Sequence, residues 1–155
     1  MRGKQAPKRK ILPDLKYSNI GVAKFINYIM QDGKKTIAET IVYDCFDYIA
    51  DKTKQDPLDV FDMAIKNVGP TLEVKGRRIG GANYQVPIVV TGDRKLQLAY
   101  RWIINAARAK QGKPMAIRLA EELMNAAQNE GDAMKKKLDV QKMAEANRAF
   151  AHFAR

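Results

Sequence analysis

The stretch KGRRIGGANYQVP (residues 75–87) decides how this chain is read. Gly80-Gly81 supply the positive φ of a tight turn between two short β-like runs, and Lys75, Arg77 and Arg78 crowd the first arm. Val74 on that arm, with Tyr84, Val86 and Ile88 on the other, gives the alternation of a ribbon over about residues 71–90. Such an arm is too short to be a domain and too charged to be core, so its meaning lies in what flanks it.

What flanks it is helical. Val22, Phe25, Ile26, Ile29 and Met30 share one face of a first helix, and Gly33 stands where a left-handed C-terminal cap belongs. Ile37, Ile41, Val42, Cys45, Phe46 and Ile49 mark a second helix ending near Lys52. Asp56-Pro57 starts a third, a side-chain cap followed by proline at the first helical position, with Leu58, Phe61, Ala64, Ile65 and Val68 inward until Gly69-Pro70 stops it. After the ribbon, Asp93 is expected to cap a fourth helix with Leu96, Ala99, Ile103, Ala106 and Ala107 inward, ended by Gly112. Pro114 opens a fifth, closed by Gly131, and a sixth runs from about Asp132 to Phe150. The pattern predicts a mainly α fold: one six-helix domain over residues 18–155, with a protruding two-stranded antiparallel β-ribbon between the third and fourth helices. Residues 1–17, with two prolines and no periodicity, are expected to be a basic extended arm.

Charge narrows the partner. The 155 residues carry 28 Lys plus Arg against 17 Asp plus Glu, a net +11, which favours phosphate polymers or anionic surfaces. No apolar run approaches a membrane span or a secretion signal, so a soluble, intracellular protein is expected, with no membrane partner. Cys45 is alone, which excludes a disulfide framework or a cysteine-based metal site. His152 has no evident nucleophile beside it, Asp44 and Asp47 read as a solvent face, and no phosphate-loop or nucleophile-elbow pattern occurs. An enzyme, a cofactor and a bound metal are therefore not expected.

The basic residues are also placed unusually. Lysines at a helix N-terminus oppose the helix dipole, yet Lys34 and Lys35 open the second helix, Arg94 and Lys95 the fourth and Lys113 the fifth, and Lys135 to Lys137 lie within the first turns of the sixth. Helix starts rich in amide donors and cations suit phosphates, while chance in a lysine-rich chain explains any single pair equally well. The fourth helix is sharper. Residues 94–120 hold seven basic residues and no acid. At about 100° per residue, Arg94, Gln97, Arg101, Asn105 and Arg108 line one stripe about 80° wide. An ordinary solvated face mixes charge signs; an Arg/Asn/Gln stripe fits phosphate recognition by guanidinium forks. A ribbon carrying Lys75, Arg77, Arg78 and Asn83 can lie in the major groove of B-DNA, or on a loop, junction or minor groove of RNA. The residues alone therefore leave two readings open, an RNA-binding protein and an architectural DNA-binding protein with a basic β-arm.

A resemblance separates them. ILPDLKY (11–17), KFINYIMQDGKKTIAETIVY (24–43), PLDVFDMAIKNVGPTLEVKGRRIGGANYQVPIVV (57–90), RWIINAARAK (101–110) and KMAEANRAFAHF (142–153) together resemble the bacterial small-subunit ribosomal protein seven family, in order and over nearly the whole chain. The resemblance implies a structural ribosomal protein that is a primary binder of the 16S rRNA 3′ major domain, nucleates assembly of the small-subunit head, and sits at the subunit interface near exit-site tRNA and mRNA. Small-subunit ribosomal proteins nine and eleven would be its neighbours, in a cytoplasmic or organellar ribosome, with no homo-oligomer. It further implies that Arg2, Lys4, Lys8, Arg9 and Lys10, then Lys34 and Lys35, then Arg94, Lys95, Arg101 and Arg108, and finally Lys113 and Arg118 meet ribosomal RNA. Lys75, Arg77, Arg78, Gly80 and Gly81 would face RNA or tRNA along the ribbon. One departure is Gly76, where a serine is usual in the family.

Overall fold

The computed structural model describes residues 3, 6, 7 and 9–154. The chain forms α1 (Ile20–Ile29), α2 (Lys35–Thr53), α3 (Pro57–Val68), β1 (Leu72–Ile79), β2 (Ala82–Val89), α4 (Gly92–Ala109), α5 (Met115–Ala127), α6 (Asp132–Ala146) and a 3-10 helix (Arg148–Ala154). The mainly α class and the ribbon between α3 and α4 are as the sequence predicts. The last element differs: the α-helical pattern read through to Phe150 breaks at Asn147, and the final residues tighten into the 3-10 helix. Two compact units are present, residues up to Thr40 and residues from Ile41 onward, with the boundary inside α2.

In the first unit, Asp14 organises the approach to α1. Its carboxylate accepts from the backbone N–H groups of Lys16 (3.1 Å) and Tyr17 (3.0 Å), and its carbonyl accepts from Ser18 N–H (2.9 Å). Asn19 then caps α1, accepting from Gly21 N–H at 2.7 Å. Val22, Phe25, Ile26 and Ile29 are buried, the period the sequence shows. Leu12 and Leu15, in the segment that leads to α1, are exposed.

The second unit packs α3 on α5, α4 on α5, and α6 on α4 and β1. Asp56 caps α3 through Leu58 N–H at 2.9 Å, with Pro57 at the first helical position. Phe61 lies edge-on to Phe46 (5.5 Å between centroids) and stacks with Tyr100 (6.3 Å). Ile103, Leu119 and Leu123 are completely buried, and each such side chain contributes about 1.5–3 kcal/mol of burial. Asn67 Nδ2 donates to the carbonyls of Ala126 and Ala127, so α3 supplies a donor to the C-terminal carbonyls of α5.

Details of the predicted helices are corrected. Met30, at φ −52° and ψ 136°, is the C-cap of α1, and Gly33 takes its positive φ of +73° in the turn three residues beyond it. Thr91, not Asp93, occupies the N-cap of α4, and Asp93 falls in the first turn, where its charge still favours the helix dipole. Ile37 and Leu96, read as inward, are 56% and 37% exposed because each sits at the edge of its apolar stripe near a helix start. Leu98 takes the buried place instead.

The ribbon is antiparallel with Ile79 opposite Ala82, which leaves Gly80-Gly81 as a two-residue turn at φ +56° and +90°. Its faces differ from the expected alternation. Cross-strand partners share a face, so Tyr84, Val86 and Ile88 stand with Arg77, Lys75 and Glu73, whereas Val74 lies on the other face opposite Pro87. Val86 and Pro87 are both buried, so the root of the ribbon is covered on both sides.

Candidate nucleic-acid interface

The outer face of α4 is a basic surface on a rigid element. Arg101, Asn105 and Arg108 are exposed along it and Gln97 is half-exposed, while Ala99, Ile103, Ala106 and Ala107 are buried opposite. The stripe read from helical spacing is therefore a real face of the folded chain.

The absence of acids within residues 94–120 does not survive folding, because carboxylates arrive from elsewhere. Glu73, on β1, is buried with a side chain 10% exposed. Arg94 donates to its Oε2 from Nε (3.0 Å) and Nη2 (2.9 Å), and Lys75 Nζ lies 2.9 Å from Oε1. Burial alone would raise this carboxyl's pKa; hydrogen bonds and charge from Lys75 and Arg94 outweigh it and hold the group below the usual carboxylate range. Lys113 Nζ sits 2.5 Å from Glu121 Oε1, which raises the lysine's pKa. Lys110 Nζ sits 2.6 Å from Glu122 Oε2, off the hydrogen-bonding direction, so that contact is an ion pair. Glu122 is completely buried, and its other oxygen accepts from Ala133 N–H at 2.9 Å. One carboxylate on α5 thus caps the start of α6 and anchors the end of α4.

Arg118 also turns inward: its Nη1 donates to the carbonyls of Arg108 and Lys110, a cation at the C-terminus of α4. Arg77 Nη1 donates to the carbonyl of Phe153 at 2.9 Å. Arg94, Lys113, Arg118, Lys75 and Arg77, all read as RNA contacts in the second unit, are therefore engaged within the fold. Arg78, Arg101 and Arg108 are exposed, and Lys95 is half-exposed. Gly80 and Gly81 are exposed at the turn. In the first unit Arg9, Lys10, Lys34 and Lys35 are exposed, Lys35 lying 3.5 Å from Glu39 one turn on. Arg2, Lys4 and Lys8 lie outside the described residues.

Two contacts escaped the sequence. Lys137, on α6 and read with Lys135 and Lys136 as a helix-start cation for phosphates, instead donates to the carbonyl of Asn67 at 2.5 Å. Partial burial, then the nearby charge of Lys95, lowers its pKa. Lys95 and Lys137 thus place two ammonium groups near the start of α4. Tyr84, Phe150 and Phe153 also gather into one aromatic cluster. Glu73 did carry a signal, since it stands two residues before Lys75 and so on the same strand face.

Among the described residues, no three His, Cys, Asp or Glu side chains group as a metal site, and no helix is long and apolar enough to cross a membrane. Cys45 is buried and its thiol pKa is pushed up by burial, which disfavours the reactive thiolate.

The surface so described is a cationic helix face and a basic β-turn on a helical body, and comparison with known proteins agrees with its partner class. The family model for ribosomal protein S7p/S5e matches residues 1–148. A small ribosomal subunit protein uS7 of Pseudothermotoga lettingae is 61% identical over 152 residues, covering 98% of each chain. The uS7 proteins of Thermotoga maritima (58%, 99% of each chain) and Cupriavidus metallidurans (55%, 98% of this chain and 97% of the relative) are similar over the same length. A match over nearly the whole chain, with the ribbon and basic helix inside it, means that this chain belongs to the ribosomal protein S7p/S5e family.

Proposed function

We propose that this chain is a structural protein of the small subunit of the cytoplasmic bacterial ribosome, and that it acts by binding 16S rRNA rather than by catalysis. Within that role it is a primary binder of the 3′ major domain, nucleates assembly of the subunit head, and stands at the subunit interface near exit-site tRNA and mRNA. Small-subunit proteins nine and eleven are its proposed neighbours, and it works as a single copy. The basic arm of residues 1–17 and the helical body from residue 18 serve as two RNA-binding parts.

The observation that carries this reading is the exposed Arg101–Asn105–Arg108 face of α4. Guanidinium groups on a rigid helix neutralise converging phosphates and release counterions, stabilising an RNA fold that repulsion otherwise opposes. Shape and unpaired bases at a junction, more than helix sequence, set the specificity. The ribbon's Gly80-Gly81 turn, with Arg78 beside it, allows close backbone approach to tRNA or RNA at the tip.

The test is filter binding of a 16S 3′-domain junction fragment to variants of the full chain. Arg101→Ala is expected to weaken binding more than Lys10→Ala in the arm. Equal losses would remove the α4 face from its place as anchor.

A further inference from the structure

The ribbon does not stand free of the end of the chain. An isolated two-stranded ribbon is marginally stable in water, so something must hold its pose. At its root, Val90 N–H donates to the Thr71 carbonyl (2.9 Å), Glu73 binds Arg94, and α6 packs on β1. A second attachment lies much further out. Arg77 and Tyr84 face each other as the sixth of the eight paired rungs counted from Leu72–Val89. Both reach the 3-10 helix: Arg77 Nη1 donates to the Phe153 carbonyl (2.9 Å), and the Tyr84 ring lies 5.1 Å from Phe150 and 5.5 Å from Phe153. Phe150 and Phe153 are themselves stacked at 6.3 Å and 11°. A seven-residue 3-10 helix has little stability of its own, so the ribbon and the final segment order each other.

We infer that the 3-10 helix Arg148–Ala154 is a clasp that positions the ribbon. Arg77 acts as a positioning residue rather than an RNA contact, and Tyr84, Phe150 and Phe153 form the apolar part of the clasp. Only the rungs beyond it, Arg78–Asn83 and Ile79–Ala82 with the Gly80-Gly81 turn, remain as a tip for RNA. The pivot of the arm moves from its root to the sixth rung, and the tip approaches its ligand already oriented, which lowers the ordering cost of binding. The RNA consequence rests on the function proposed above; the clasp itself does not.

Two measurements on the full chain separate these. Hydrogen exchange, which needs no RNA, compares the wild type with Phe150→Ala/Phe153→Ala. Ribbon amides in residues 72–89 are expected to exchange about tenfold faster, with α3–α5 unchanged. Unchanged ribbon exchange refutes the clasp. Loss of protection throughout, repeated in the single Phe153→Ala variant, also refutes it, because the cluster would then belong to the main core. RNA titrations over a salt series then compare Arg77→Ala with Arg77→Gln. Arg77→Ala is expected to weaken binding to the junction fragment about three- to tenfold with the salt slope unchanged, and Arg77→Gln, a neutral donor to the Phe153 carbonyl, to restore most of the loss. A slope reduced by about 0.7–0.9, the signature of one lost phosphate contact, would make Arg77 an RNA ligand and overturn its positioning role. Failure of the wild type to bind RNA would sink the proposed function while leaving the exchange result to decide the clasp.

Discussion

Arg94 and Arg101 lie on the same stripe of α4, seven residues apart, yet the fold gives them different work. Arg94 holds the buried Glu73 carboxylate through two hydrogen bonds and its own side chain is 42% exposed. Arg101 is exposed on the outer face. Arg94→Ala leaves Glu73 with Lys75 as its remaining counter-charge. Fully buried pairs lose about 3–5 kcal/mol when one partner is removed, and exposed pairs about 0.2–1 kcal/mol. Solvent screening at the half-exposed arginine and the surviving lysine put this case near 1–2 kcal/mol. For a chain of this length that is a fall of about 3–6 °C in Tm. Because Arg101 is exposed, any contact it makes within the fold is screened by solvent. Arg101→Ala should therefore lower Tm less than Arg94→Ala does, weaken RNA binding about fivefold, and reduce the salt slope by about 0.7–0.9. Calorimetry on both variants, with filter binding at three salt concentrations, reads the crossed pattern. Two variants that lose RNA affinity equally, with Tm untouched in both, would refute the division of labour.

Other outcomes follow from the same network and from backbone geometry. Because the Glu73 pKa is depressed in the folded chain, its stabilisation is present above the ordinary carboxylate value of about 4.3 and is lost as pH falls through the folded value. Glu73→Gln should therefore be less stable than the wild type at pH 7 by about 1–2 kcal/mol; a stability gap that persists undiminished at pH 2.5 would disprove the linkage. Gly131 has φ +94°, and a Cβ there would stand 2.8 Å from Glu122 Oε1. Gly131→Ala should cost about 1–3 kcal/mol in urea unfolding, and a neutral result would mean that the Glu122 cap is not rigid. Gly76 lies mid-strand, and a Cβ added there would meet nothing within 4 Å. Gly76→Ser should stabilise the ribbon by about 0.5 kcal/mol, seen as slower exchange at residues 72–89; faster exchange would contradict it.

Much of the fold was legible because its signals are local. Asp56-Pro57 starts α3, Gly80-Gly81 turns the ribbon, Gly112 and Gly131 follow helix ends with positive φ, and the buried faces of α1 and α3 follow the helical period. The errors fall where two local answers compete. Thr91 and Asp93 are both acceptable caps, and a helical pattern continues past Ala146 although Phe150 and Phe153 are drawn onto Tyr84. The interface was half legible for a different reason. Helical spacing places Arg101, Asn105 and Arg108 on one face, but it cannot reveal that Glu73, 21 positions before Arg94, reaches that residue, or that Lys137 reaches Asn67 across 70 positions. An acid-free window marks a basic surface only where the fold brings no acid to it.

The most direct test of the account is the affinity of the full chain for a 16S 3′-domain junction fragment over a salt series, with equal-length duplex DNA as competitor. Shape-specific RNA recognition predicts tight binding that persists at about 0.3 M salt and resists the DNA, because non-specific contacts fade steeply as salt rises. Binding that collapses with salt and prefers neither polymer would contradict it.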